Sequence, residues 1–294
     1  MRKLVSTLLI AQALACHAAP AADPRLAAVI PAIESQIEQS GADVAVAFRT
    51  LDGKRQWLLR ADEPFHAAST MKLAVLIELY HQVRLHKARL DETLVVRNEF
   101  KSLVDDSRFS LSPDDDSETQ LYQAVGERRT LAQLSELMIT VSSNLAANLL
   151  IDRLGIDNIR ASMHSLGADD MNVRRGLEDT KAFQQGLNNT TTANALLKIM
   201  DAIARGQAVD AAASRQMLEV LSRQTDNDEI PAGLPAGLRI AHKTGQITKI
   251  QHDAAIVYAR RPFVLVILTR GIEDPKKSAA LMAQIAHQLY GVSQ

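Results

Sequence analysis

The sequence predicts an α+β fold in which strands from both ends of the chain form one sheet and a helical block lies between them. Short runs rich in Val and Ile, typical of strands, fall within residues 44–60 and again within 238–269. Between these regions most segments repeat their apolar residues at helical spacing. Strands from the two ends are expected to pair in one sheet. We therefore expect a sheet subdomain, an all-helical subdomain and a ligand-binding cleft between them.

Residues 1–22 are predicted to be a signal peptide, which makes the mature protein periplasmic. Arg2 and Lys3 form a short basic start, an apolar stretch follows, and the segment ends in small residues. Cys16, the only cysteine, lies in this leader. It is either removed with the leader or, as a less favoured alternative, lipidated as a membrane anchor. The mature fold then holds no disulfide, no catalytic thiol and no cysteine-based zinc site.

The sheet subdomain is predicted to comprise residues 23–66 and 224–294. Its first helix is expected to end at Ser40-Gly41, and Asp52-Gly53 between two strand-like runs is a strong hairpin signal. The predicted helices of this part are 27–38 and 276–290, and its predicted strands are 44–50, 56–60, 238–243, 254–259 and 263–269.

The helical subdomain is predicted to comprise residues 67–223. Two stretches in it are polar or irregular: 101–118, interpreted as a surface loop, and 172–189, interpreted as a long loop. Thr130 is a candidate N-cap and Gly155 a helix stop. The predicted helices are 69–86, 130–140, 144–154, 192–204 and 211–223.

Composition and simple motifs argue against several classes of function. A formal net charge of -1 gives no electrostatic reason to expect a nucleic-acid partner. The histidines show no His-x-His or His-Glu-x-x-His spacing, so a metallo-hydrolase is disfavoured. The absence of Gly-x-Ser-x-Gly disfavours an α/β-hydrolase. A non-enzymatic binding protein has no need for the activated serine described next.

The first candidate motif is Ser69-Thr70-Met71-Lys72, at the start of a strongly apolar helical run. Ser69 and Lys72 lie three residues apart and therefore share one helix face. A desolvated lysine can lose its proton and activate a serine hydroxyl, and a helix N-terminus presents backbone N–H groups to a developing oxyanion. Taken alone, this motif is usually a chance occurrence.

Two further motifs are each weak alone. Ser142-Ser143-Asn144 lies between two predicted helices, where it can project a hydroxyl and a carboxamide or simply cap a helix. Lys243-Thr244-Gly245 stands at the end of a predicted strand, where glycine lets a substrate lie against the backbone. Lys243 and Thr244 offer hydrogen-bond donors to a substrate carboxylate.

Glu178 is the fourth candidate, inside the irregular segment 172–189. A carboxylate held at a cleft can act as a general base toward water, whereas an ordinary surface acid has no such role. Asp179 is a competing candidate for the same base.

Together the motifs resemble those of class A β-lactamases and penicillin-binding proteins. Ser142 follows Ser69 by 73 residues and Lys243 follows Ser142 by 101, both similar to class A spacings. The resemblance covers roughly residues 24–294. It implies a β-lactamase/transpeptidase-like fold and a serine hydrolase that works without metal or cofactor.

The resemblance also implies roles in forming an acyl-enzyme. Ser69 attacks the lactam carbonyl and Lys72 helps to remove its proton. Ser142 relays a proton to the leaving nitrogen, with support from Lys243. Backbone N–H groups of Ser69 and Gln246 are expected to form the oxyanion hole.

Other implied roles concern substrate binding and release. Asn144 is expected to hold the substrate's side-chain amide, and Thr244 to meet its carboxylate beside Gly245. Glu178 would activate the water that frees the acyl-enzyme. The implied partner is a small β-lactam, and the protein is expected to be a monomer.

The chain departs from the family pattern at two places. Ser143 stands where the family commonly has Asp. The loop around Glu178 lacks the family's Arg-Asp ion pair, because Asn189 occupies the position of the closing acid. If Glu178 reaches the water, the protein is a β-lactamase. If it does not, the protein acts as a penicillin-binding D,D-peptidase or a slowly deacylating serine hydrolase.

Overall fold

The computed structural model describes residues 23–294, so the predicted signal peptide and Cys16 lie outside the described residues. The helices are α1 (Pro24–Ser40), α2 (Lys72–Arg84), α3 (Gln120–Gln123), α4 (Leu131–Thr140), α5 (Asn144–Leu154), α6 (Ile156–Ser165), α7 (Thr180–Gln184), α8 (Ala193–Ala204), α9 (Ala211–Leu221) and α10 (Pro275–Ser293). The strands are β1 (Asp43–Thr50), β2 (Gln56–Leu59), β3 (Phe65–His66), β4 (Thr93–Val95), β5 (Phe100–Lys101), β6 (Arg108–Phe109), β7 (Arg128–Thr130), β8 (Thr190–Thr191), β9 (Arg239–Ile247), β10 (Ile250–Tyr258) and β11 (Phe263–Arg270).

The predicted α+β fold is confirmed by the main sheet, which is antiparallel with strand order β2-β1-β11-β10-β9. β1 from the start of the chain pairs along its whole length with β11 from the end. The helical block enters between these pairing partners. The sheet therefore closes only after the entire helical block has been made.

The two faces of the sheet carry different cores. On the outer face, α1 and α10 cover residues such as Phe48 and Val257. On the inner face, side chains such as Ala47 and Ile256 join one continuous apolar cluster with the helical block. The division at residues 66/67 and 223/224 remains a prediction, since the inner core runs across it.

Local signals explain where the first helix begins and ends. α1 starts three residues before its predicted bound because the Asp23 side chain accepts the N–H of Arg25 and Pro24 suits the first turn. It ends at Gly41, whose φ of 68° is a left-handed conformation that glycine adopts without a steric penalty. Thr130 caps α4 as expected, in a capping box with Gln133.

Two sequence predictions were wrong in their bounds. β9 and β10 run four residues further toward each other than predicted, because they pair as a hairpin as far as Ile247 and Ile250. The third motif consequently lies inside β9, not at its end. The segment 101–118 is also not merely a surface loop, because Asp116 is buried there. Within the described residues, no helix is both long and apolar enough to cross a membrane.

A buried polar cluster lies on the outer face of β9 and β10, where His242 contacts Asp253 at 3.1 Å. Beside it, Glu229 is 1% exposed and accepts a 2.7 Å hydrogen bond from Gln251. Burial and the negative charge of Asp253 raise the pKa of Glu229 to about 8.

We predict that Glu229→Gln removes a pH dependence of stability. The folded chain keeps a proton on Glu229 between its ordinary pKa of 4.5 and about 8, whereas the unfolded chain releases it. Folding stability is therefore fully present below the lower value and falls as pH rises through the window. In urea unfolding at pH 9, the variant should exceed the wild type by about 2–4 kcal/mol. At pH 4 the two should be close. Parallel curves at both pH values would contradict the shifted pKa.

Candidate active site

Ser69 sits in a 3-10 turn, Ala68–Met71, that leads directly into α2. The preceding residue, Ala68, has a φ of 45°, which is strained for a residue with a Cβ. Its N–H donates to Nδ1 of His66, and the Ala67 N–H donates to the Asn189 carbonyl. These bonds hold the strained turn and leave Ser69 half-buried at the cleft.

Lys72 is fully buried and its Nζ is surrounded by oxygen atoms of the first two motifs. It lies 3.0 Å from Ser69 Oγ, 2.6 Å from the Ser142 carbonyl and 2.8 Å from Asn144 Oδ1. Burial, reinforced by the positive charge of Lys243, lowers the pKa of Lys72 well below its usual value. A lysine in this setting can hold a neutral amine and accept the Ser69 proton.

Ser142 Oγ lies between the two lysines, 3.3 Å from Lys72 Nζ and 3.0 Å from Lys243 Nζ. Burial lowers the pKa of Lys243 to about 8, against the nearby charges of Asp226, Asp253 and Glu229. The three hydroxyl and amine groups thus form a continuous path from Ser69 to Lys243. Such a path can carry a proton from the nucleophile to a leaving group.

The second motif is a strained turn at the start of α5. Ser142 has a φ of 60°, and the buried Ser143 caps α5 through a hydrogen bond from the Ala146 N–H. Asn144 then uses both ends of its carboxamide: Oδ1 accepts from Lys72 and Nδ2 donates to Glu178 Oε1 at 3.0 Å. Asn144 therefore joins the group that activates the serine to the candidate base.

Glu178 and Asp179 have different surroundings. Glu178 has a φ of 62°, lines the cleft beside Ser69, and accepts the N–H of Ser112 as well as the Asn144 amide. Burial raises the pKa of Glu178. Asp179 is 2% exposed and is used structurally, because it accepts the N–H groups of Ala182 and Leu103. Only Glu178 of the two faces the candidate nucleophile.

The loop that carries Glu178 is closed without an ion pair. Asn189 Oδ1 accepts the N–H groups of Arg174 and Arg175, and Asn189 Nδ2 donates to the Arg175 carbonyl. The Arg175 guanidinium donates to the carbonyls of Leu187 and Gly176. A neutral amide therefore makes the closure by bonding the main chain on the opposite side of the loop.

The third motif brings β9 against the turn that holds the nucleophile. Lys243 and Thr244 are buried, and Gln246 is exposed at the cleft. An added Cβ at Gly245 would lie 2.9 Å from the Ser69 nitrogen and 3.0 Å from the Thr70 nitrogen. Both are backbone atoms that have no room to move aside. Glycine is therefore required here for a close approach.

We predict that Gly245→Ala slows acylation by about 10²-fold, because it displaces the backbone that carries Ser69. The rate of labelling by a fluorescent penicillin measures the effect. Gly291→Ala is the matched control, since an added Cβ at Gly291 meets nothing within 4 Å. Equal labelling of the two variants would show that the turn tolerates the extra atom.

The remaining candidates meet in one cleft of about 450 Å³ between β9, the nucleophile turn and the Glu178 loop. Two contacts in it were missed from the sequence: the Ser112 N–H on Glu178, and the Asp116 carboxylate at the start of α5. Both come from the segment interpreted as a surface loop, and its polarity gave no signal of burial. Within residues 23–294, no three His, Cys, Asp or Glu side chains are grouped so as to hold a metal ion.

The fold and the site together define a serine hydrolase that pairs its nucleophile with a buried lysine. The family model of the β-lactamase enzyme family matches residues 25–292. The chain therefore belongs to the β-lactamase enzyme family, as the resemblance of its motifs implied.

Individual relatives and structures agree with this assignment. A β-lactamase of Citrobacter koseri is 28% identical over 256 residues, 85% of this chain and 83% of the relative. A carbapenem-hydrolysing β-lactamase KPC of Klebsiella oxytoca is 32% identical over 165 residues, 53% of this chain and 56% of the relative. A structure of PBP-A as an acyl-enzyme complex with penicillin G matches with a TM-score of 0.78 and 25% identity over 91% of this chain and 96% of that one. An ancestral class A β-lactamase matches with a TM-score of 0.76 and 25% identity, over 89% and 98%.

Proposed function

We propose that the protein hydrolyses the amide bond of β-lactams through an acyl-enzyme on Ser69. The observation that carries this function is the row of groups Ser69 Oγ, Lys72 Nζ, Ser142 Oγ and Lys243 Nζ, with consecutive separations of 3.0, 3.3 and 3.0 Å. Glu178 faces the same cleft. Family membership and the relatives named above support β-lactams as the substrate class.

In acylation, Ser69 Oγ attacks the lactam carbonyl carbon while Lys72 accepts its proton. The lowered pKa of Lys72 makes the neutral amine accessible near neutral pH. The carbonyl oxygen becomes negatively charged and is stabilised by backbone N–H groups, for which we propose Ser69 and Gln246. The C–N bond then breaks, and Ser142 delivers a proton to the departing nitrogen. Lys243, bonded to Ser142 Oγ, favours this transfer.

In deacylation, Glu178 takes a proton from a water molecule that attacks the ester carbon. Its raised pKa makes it a stronger base than an exposed glutamate, while leaving it ionised at neutral or mildly alkaline pH. Release of Ser69 completes the cycle. This step distinguishes a β-lactamase from a penicillin-binding protein, in which the acyl-enzyme persists.

Rapid mixing of the purified mature protein with a chromogenic cephalosporin tests the function. We expect product to continue far beyond one equivalent of enzyme, and Ser69→Ala to give none. A burst of about one equivalent that then stalls would contradict hydrolysis and indicate a slowly deacylating, penicillin-binding activity. No Ser69-dependent product would remove cephalosporins as substrates.

We further propose that residues 1–22 direct export to the periplasm and that the mature protein is a monomer. The basic start, apolar stretch and small-residue end of this segment support export. Cell fractionation with mass spectrometry of the mature N-terminus tests the first point, and reveals any lipid on Cys16. Light scattering of the purified protein tests the second.

A further inference from the structure

Asp116 is a buried carboxylate that the family motifs do not include. It lies in segment 101–118 and is 8% exposed. Its Oδ2 accepts the N–H of Asn144 at 2.8 Å, the N–H of Leu145 at 2.9 Å and the hydroxyl of Tyr122 at 2.9 Å. Burial and the charge of Asp116 raise the pKa of Tyr122, which keeps this hydroxyl protonated as a donor.

These bonds place a negative charge at the N-terminus of α5. The first N–H groups of a helix have no partner within the helix and carry partial positive charge, so a carboxylate binds them strongly. Ser143 Oγ, 3.4 Å from Asp116 Oδ2, accepts the third of these N–H groups, that of Ala146. The cap of α5 is thus divided between a local hydroxyl and a carboxylate from a distant segment.

The capped turn carries the groups that contact Lys72. The Ser142 carbonyl and Asn144 Oδ1 lie 2.6 and 2.8 Å from Lys72 Nζ. Ser142 has a φ of 60°, a conformation that persists only when neighbouring contacts enforce it. A loss of the Asp116 contacts would therefore release the acceptors that orient Lys72 toward Ser69.

We propose that Asp116 is a positioning residue for acylation, whose carboxylate fixes the turn 142–145 and so holds Lys72 and Asn144 in their working arrangement. The kinetic part of this inference rests on the proposed β-lactam chemistry. At position 143 the family commonly has Asp, and Asp116 brings a carboxylate to the immediate neighbourhood of that position from another segment.

Asp116 also acts on Lys72 through its charge. The ionisable groups that influence Lys72 are Lys243 on β9, Glu178 on its loop and Asp116. The charges of Asp116 and Glu178 raise the pKa of Lys72, against burial and Lys243. Neutralising Asp116 should therefore lower the pKa of Lys72 and move the acid limb of the acylation profile to lower pH. A purely structural role would leave that limb in place.

The test compares Asp116→Asn, which keeps the shape but removes the charge, with Asp114→Asn. Asp114 is exposed two residues away, and among the described residues its carboxylate makes no hydrogen bond or ion pair. We expect Asp116→Asn to slow labelling of Ser69 by a fluorescent penicillin about 10- to 100-fold at neutral pH. We also expect its acid limb to shift down. Asp114→Asn should match the wild type in rate and limb.

Two more measurements separate charge from general loss of structure. Hydrogen exchange should increase at the amides of Asn144 and Leu145 in Asp116→Asn, while the other amides of α5 keep their protection. A double variant, Asp116→Ser with Ser143→Asp, returns a carboxylate to the cap from the other side. In that variant the acid limb should move back toward the wild-type position.

Wild-type rate, limb and amide protection in Asp116→Asn would overturn the proposal. So would a slow variant with an unmoved limb and protection lost across all of α5, or a folded double variant that keeps the shifted limb. If the wild type itself fails to react with penicillin, the proposed function is wrong. The exchange at Asn144 and Leu145 then still decides whether Asp116 fixes the turn.

Discussion

Replacement of Glu178 by Gln should convert a multiple-turnover enzyme into one that is acylated once and then stalls. Glutamine keeps the size of the side chain and can still accept the Ser112 N–H, but it cannot take a proton from water. Loss of a general base costs about 10²–10⁴-fold in the step that it serves. The deacylation rate should fall by that factor, whereas labelling of Ser69 should stay near the wild-type rate.

Mass spectrometry after brief mixing with penicillin measures this outcome as the fraction of acyl-enzyme over time. Asp179→Asn is the comparison, because Asp179 caps α7 and faces away from Ser69. It should lower the melting temperature but continue to turn over. A stall in Asp179→Asn with turnover retained in Glu178→Gln would assign the base to Asp179 instead.

The pH dependence of deacylation gives a second check on Glu178. The base works as the carboxylate, and its pKa is raised by burial. Deacylation should therefore slow as the pH falls through a value above that of an ordinary glutamate. An acid limb at the usual glutamate pKa would mean that the side chain is more hydrated than its position in the cleft indicates.

Replacement of Lys72 by Met should slow acylation by about 10²–10⁴-fold, again the range for loss of a general base. Methionine fills nearly the same volume, so the buried site stays packed. The variant should also lack the acid limb that Lys72 gives the wild-type acylation profile. Its melting temperature should change little, because a desolvated amine is removed together with its hydrogen bonds.

Stopped-flow labelling with a fluorescent penicillin measures the acylation rate across pH. Lys87→Met is the control for the same chemical change, because Lys87 is exposed and follows the far end of α2. It should label at the wild-type rate. Rapid labelling of Lys72→Met with the acid limb intact would show that another group takes the Ser69 proton, and Lys243 would be the first alternative.

Hydrophobic spacing was sufficient to predict most elements of the fold. The predicted helices 144–154 and 192–204 agree with α5 and α8 to within one residue, and β1 begins one residue before its predicted start. These elements have a strong period and a clear cap or stop in the sequence itself. The hairpin of β9 and β10 was predicted too short because its ends, such as Gln246 and Thr244, are polar and gain their strand conformation from pairing.

Within the site, the proximity of Ser69 and Lys72 follows from sequence, because one helical turn brings residues three apart onto one face. The motif order also indicated the family correctly. The sequence gave no means to choose between Glu178 and Asp179, which are adjacent and chemically alike. Opposite placements of the two side chains come from a φ of 62° at Glu178 and from the bonds that hold Asp179 under α7.

The sequence by itself therefore determined the α+β class, the family and the four motifs, because each depends on residue types at short, regular spacing. Tertiary structure alone decided the strained backbone at Ala68 and Ser142, the closure of the Glu178 loop by Asn189 and the delivery of the Asp116 carboxylate to α5. Each of these depends on hydrogen bonds between segments far apart in the chain. Such bonds form only where packing of the whole core brings a donor and an acceptor within about 3 Å, and local pattern carries no record of that distance.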